Sequence, residues 1–216
     1  MDLMQPSLPA SRDKSDRGER FTRRLEAFSD LVFGFSLSLL ATRLDLPQNQ
    51  AEIFEGTRWA TFGITFGMIC AIWLAHYRIF RHRFIAGPVD VIVNFIFLFG
   101  IAVLPYAVQT FLRFADGRDA ITLYFGDFTL VFAALAALRW SALRQRRGDA
   151  DSEVRLREWR GVVRQSILVA LFVGALIAMN AGAIPKDKFY TWVPAAIVAV
   201  TLITRLAVQR LPQFLL

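Results

Sequence analysis

Asp30 makes the strongest demand of any residue in this chain. It is a carboxylate placed directly ahead of a largely apolar run, residues 31–40, with Arg24 and Ser29 just before it. Ionisable side chains at membrane depth are costly, and they mark ion or proton paths or polar contacts inside a helix bundle. A second polar group closes the next apolar run, where Trp73, His76 and Tyr77 precede Arg78. A third spans Asp90 to Asn94, and Asp127 stands alone in a fourth run. Asp30, His76 and Asp127 could exchange protons, or the same groups could bond one helix to another. Covalent catalysis has less to work with. There is no nucleophile–base pair, no phosphate-cradling glycine loop and no metal-ligand cluster, and the only candidates of that kind are His76, His82 and Cys70. The chain therefore reads as a non-enzyme that needs no cofactor.

The elements that must position these residues are membrane helices. The 216 residues are 55% hydrophobic and only 20% charged, with a mean hydropathy of +0.42, and the charge clusters between long apolar runs. Six runs have the ~20 residues needed to cross the hydrocarbon: about 25–44, 57–79, 88–112, 121–142, 162–184 and 189–209. They are continuously apolar rather than alternating, which selects helices over a barrel. Residues 1–20 mix Pro, Ser and both charge signs, and read as a disordered cytoplasmic tail ahead of a membrane domain over 21–212. The net charge of +7 does not point to nucleic acid, because the arginines fall in alternate loops. The tail, the loop after the second run (Arg78, Arg81, Arg83) and the stretch 139–164 are arginine-rich, which puts both termini in the cytoplasm. The 139–164 stretch reads as a solvated connector touching headgroups and partly helical from Glu153 to Arg164, with a dedicated anionic-lipid or partner site as the lesser reading.

Helical phase separates the polar residues of the first run. Phe35, Leu39 and Thr42 share one stripe with Ser38 beside them, whereas Asp30 projects from nearly the opposite side. Such a stripe is either ordinary core or the wall of a narrow path. Gly63 and Gly67 form a GxxxG contact face, Asn94 needs an interhelical partner, and Pro105 should bend the third helix. Asp127 is expected near the outer boundary, where a carboxylate is cheap. Asn180 and Pro194 read as packing polarity and a bend.

Arg24-x-x-x-Phe28-Ser29-Asp30 resembles the RxxxFSD signature that opens the first helix of the transmembrane protein 175 family of lysosomal potassium channels and their single-repeat prokaryotic relatives. Trp73-x-x-His76-x-x-x-Phe80, Asp90, Asn94 and Pro105 extend the resemblance over roughly residues 20–112. It implies an all-α, six-helix subunit in a homotetramer, with the first helices around a central potassium path. It also implies a constriction of apolar side chains where other potassium channels have a carbonyl filter. Carried onto this chain, Phe35, Leu39 and Thr42 line that path with Ser38 and Leu31. Arg24, Phe28, Ser29, Asp30, Trp73, His76 and Asn94 form the polar network joining helices one to three. The family commonly has isoleucine at the place of Phe35, so four phenyl rings would narrow this path further.

The leading expectation is a potassium-permeable, weakly selective cation channel, open to other monovalent cations, in a bacterial inner membrane. A proton-linked carrier using Asp30 and His76, and a non-conducting membrane scaffold, remain as alternatives.

Overall fold

The computed structural model describes residues 10–42, 56–81, 84–114, 117–145 and 152–182. They form five helices, α1 (Ala10–Thr42), α2 (Gly56–Phe80), α3 (Pro88–Arg113), α4 (Arg118–Gln145) and α5 (Ser152–Asn180). Each contains a segment long and apolar enough to cross a membrane. The expected span at 189–209 and Pro194 lie outside the described residues. The helices run up and down, with α3 and α4 at the centre, α5 against α4, and α1 against α3 and α2.

Aromatic and branched side chains fill the core between these helices. Phe97, Ile101 and Leu104 of α3 meet Val131, Leu135 and Leu138 of α4, all fully buried. Phe172 of α5 lies 5.5 Å from Phe128 and 5.9 Å from Phe132, parallel to both rings. The close α3–α4 approach depends on Gly100, where a Cβ would fall 2.6 Å from a Val131 methyl. Gly63 and Gly67 of the GxxxG motif are exposed on α2, facing none of the described helices.

Two expectations about the polar segments are corrected. Residues 10–20 are not a disordered tail but the first turns of α1. At 33 residues and 1.5 Å per residue, α1 is about 50 Å long, well beyond the ~30 Å hydrocarbon layer. Its protruding part is docked rather than free. Gly18 packs so closely on Ile85 that a Cβ would sit 2.9 Å from its methyl, and the Ala86 N–H donates to Thr22 Oγ1 at 2.9 Å. The stretch 139–164 is helical for most of its length, since α4 continues to Gln145 and α5, starting at Ser152, takes in the helix expected from Glu153 to Arg164. Arg139 is buried rather than solvated, and its guanidinium lies 3.3 Å from the Glu158 carboxylate on α5. It also donates to the Ala75 carbonyl of α2 at 3.3 Å. Pairing with an acid nineteen positions later is what lets this arginine leave water.

The basic ends gather at one end of the bundle. There the Gln145 side chain accepts from the Ile85 N–H at 3.1 Å and donates to the Ile85 carbonyl at 2.9 Å. At the opposite end Arg118 donates through Nε to Asn180 Oδ1 at 3.0 Å, with a second short contact from its terminal nitrogen.

Candidate functional site

Helix α1 has two sharply different faces. The packed one carries Thr22, Leu25, Ser29, Phe33, Ser36 and Leu40, all buried. The other carries Arg17, Arg20, Arg24, Phe28, Leu31, Phe35, Ser38 and Thr42, all exposed. Leu31 is 72% and Phe35 65% exposed, large values for apolar residues in the middle of a helix. Leu39, at the edge of this face, is half-buried. The two hydroxyls donate along their own helix, Ser38 to the Gly34 carbonyl at 3.0 Å and Thr42 to the Leu39 carbonyl at 2.9 Å. Their second oxygen lone pairs stay on the exposed side.

The packed face is held by polar contacts that join three helices. Asn94 of α3 donates through Nδ2 to Ser29 Oγ at 3.1 Å, and Ser29 donates to its own helix at the Leu25 carbonyl, 2.8 Å away. The oxygen of this amide, Asn94 Oδ1, lies 2.8 Å from His76 Nε2 of α2. Because that oxygen only accepts, His76 carries its proton on Nε2. The imidazole is stacked on Phe97 at 4.9 Å and flanked by Phe80 at 4.6 Å. His76 and Asn94 are fully buried, so this histidine is a satisfied donor on the side of α1 turned away from Phe35.

Asp30 makes a separate, exposed link, accepting from Trp73 Nε1 at 2.8 Å, while Trp73 stacks on Tyr77. Asp90 accepts from the Gly87 N–H at 2.9 Å and caps α3 behind Pro88. Two residues expected in the polar network stand apart from it. Arg24 is exposed and enters none of these bonds, and Phe28 lies edge-on to Phe95 with ring centroids 6.0 Å apart. Asp127 is buried between α3 and α4 across from Gly100, and its Oδ2 has no hydrogen-bond partner among the described residues.

One contact that the sequence reading missed explains how α1 is seated. Pro105 has no N–H, so the Ile101 carbonyl one turn earlier loses its donor within the helix. Ser36 Oγ supplies a replacement at 2.8 Å, from a fully buried position on α1. Helix α3 therefore continues unbroken through Pro105 to Arg113. The signal was present as a proline in one apolar run and serines in another, but nothing local pairs them.

Fold and site together define an all-α integral membrane protein whose first helix keeps one face unpacked along its length. Residues 24–105 match the family described as endosomal/lysosomal potassium channel TMEM175, and over that stretch the chain is similar to the TMEM175 family. A protein of Marivirga tractuosa named "Potassium channel" is 32% identical over 54% of this chain and 45% of its own length. The mouse protein named "Endosomal/lysosomal proton channel TMEM175" is 28% identical over 51% of this chain and 24% of its own length. The human protein of the same name is 30% identical over 54% of this chain and 25% of its own length. The chain thus spans less than half the length of the curated relatives it matches. A crystal structure of a variant of the potassium channel MtTMEM175, in complex with a nanobody–MBP fusion protein, superposes with a TM-score of 0.64. That likeness covers 84% of this chain and 93% of the other at 19% identity, and it is a likeness of fold.

Proposed function

We propose that the chain assembles as a homotetramer with α1 innermost, both termini cytoplasmic, in a bacterial inner membrane, and conducts potassium. Leu31, Phe35, Ser38, Leu39 and Thr42 line the axis, with the phenyl rings of Phe35 as the narrowest point. Selectivity is weak, and other monovalent cations pass. A ring face attracts a partly dehydrated cation, but an apolar constriction offers no fixed set of oxygens sized to one ion. The observation that carries this reading is the exposure of Leu31 and Phe35 at mid-helix, on the face opposite the one that Ser29 and Ser36 bond to α3. The relatives' names, one a potassium channel and the others proton channels, support a channel rather than a scaffold.

The test is potassium release from liposomes holding the purified tetramer. Phe35→Ala removes four rings from the axis and is expected to raise the flux at least several-fold. No flux from either protein, with the tetramer verified, overturns the proposal. A second reading, proton linkage through Asp30, has the exposed Asp30–Trp73 link in its favour. It requires that a pH gradient drive uptake and that Asp30→Asn abolish it while the tetramer persists.

A further inference from the structure

The protruding part of α1 has a fixed rotational phase. Gly18 is seated against Ile85 and Thr22 is bonded to Ala86, so the opposite side of these turns, Arg17, Arg20 and Arg24, cannot swing toward the bundle. All three are exposed, and they continue the stripe of Leu31 and Phe35 along one unbroken helix. Whatever faces Phe35 therefore also faces these arginines. Arg24 is eleven residues from Phe35 and Arg20 fifteen, about 16 Å and 22 Å along the axis at 1.5 Å per residue.

The acids of the same turns do little to neutralise this face. Glu19 lies off it and is 3.6 Å from Arg23, Glu26 lies off it too, and Asp16 stands at its edge with its backbone carbonyl accepting from Arg20 Nε at 3.3 Å. Arg20 and Arg24 lie further in along this face than Arg17 and nearer Phe35.

We infer that, in the assembly proposed above, Arg20 and Arg24 form a basic collar at the cytoplasmic mouth that binds a soluble polyphosphate anion on the axis. Each chain contributes two guanidinium groups facing a common centre, and planar guanidinium forks take phosphate oxygens in pairs. A multivalent anion can bridge several chains at once, whereas a monovalent one cannot. A lipid phosphate is excluded by the same geometry, because the face shared with Phe35 turns away from the bilayer. The anion site also has a consequence for conduction, since an occupied collar sits in the only entry to the constriction from that side.

The inference rests on α1 lining the axis, and the experiment separates the two. Tripolyphosphate is titrated by calorimetry into the full-length tetramer in nanodiscs of zwitterionic lipid, and potassium flux is read from liposomes of the same preparation. Expected are saturable binding at one anion per four chains, at least tenfold weaker in Arg20→Gln, and block of flux from the arginine side only. Arg20 is exposed, so this variant keeps the fold, and its tetramer is verified before titration. Flux without binding, or binding unchanged in Arg20→Gln, overturns the collar and leaves the channel standing. Binding at one anion per chain, displaced by anionic lipid, overturns the collar by placing the arginines against headgroups. Absence of flux in both wild type and Phe35→Ala overturns the channel and the collar with it.

Discussion

If Ser36 is present to serve the carbonyl that Pro105 leaves bare, its worth should depend on that proline. Ser36→Ala removes a 2.8 Å bond at a fully buried site and leaves the Ile101 oxygen without a donor. Interhelical hydrogen bonds in membranes are worth about 0.6 kcal/mol on average and up to about 1.7, and a buried unsatisfied carbonyl adds to the loss. The expected cost is about 1–2 kcal/mol, a factor of roughly 5–30 in the folding equilibrium. Pro105→Ala restores the N–H that closes the bond to Ile101 within α3. In that background the hydroxyl is redundant, and Ser36→Ala should cost under about 0.5 kcal/mol. The gain in helix propensity from Ser to Ala is the same in both backgrounds and cancels in the cycle. The assay is equilibrium unfolding of the four proteins in mixed micelles, followed by far-UV circular dichroism. An equal cost for Ser36→Ala with and without Pro105 refutes the reasoning, since it would mean the bond is not a response to the proline.

Three further substitutions probe the remaining contacts. Asn94→Leu removes the partner of both Ser29 and His76, and at about 0.6–1.7 kcal/mol for each bond should cost about 1–3 kcal/mol; Trp73→Phe, which loses only the exposed bond to Asp30, should cost under about 1 kcal/mol in the same unfolding assay. Gly161→Ala places a methyl group on the Arg139 guanidinium and separates it from Glu158. Breaking a buried pair costs about 3–5 kcal/mol, so this small change should lower the midpoint of thermal unfolding more than Asn94→Leu does.

Period and chemistry made much of this molecule legible before any coordinates. The stripe of Phe35, Leu39 and Thr42, with Ser38 beside it, follows from helical phase alone; Phe35, Ser38 and Thr42 lie on one exposed face, and Leu39 is half-buried at its edge. Asn94 had to find a partner because an amide in an apolar run cannot stay unpaired, though nothing local showed that it would hold Ser29 and His76 together. Arg139 was misread because a bias in loop charge counts arginines without asking which acid each will meet, and Glu158 comes from another helix. Residues 10–20 were misread because local composition lacks an apolar core. Their helix is held by Gly18 and Thr22 against a loop more than sixty positions away. The errors share a cause: each concerns a polar group whose partner is remote in sequence.

The same remoteness gives α1 its character. Three polar contacts that fix it on its packed face, Thr22 to Ala86, Ser29 to Asn94 and Ser36 to Ile101, each use a small side chain. Small hydroxyls allow close approach to α3 and the 84–87 loop, and each bond ties the rotation of the helix at a different height. A helix pinned at three levels cannot turn its opposite face inward at one level without breaking bonds at the others. Phe28, Leu31 and Phe35 are therefore left outside the subunit by the seating of the helix and not by any weakness of their own hydrophobicity. Apolar side chains held out in this way cost free energy until something covers them. In the tetramer proposed here the covering comes from the other copies of the same helix, so the contacts that stabilise one subunit also determine which residues the ion meets.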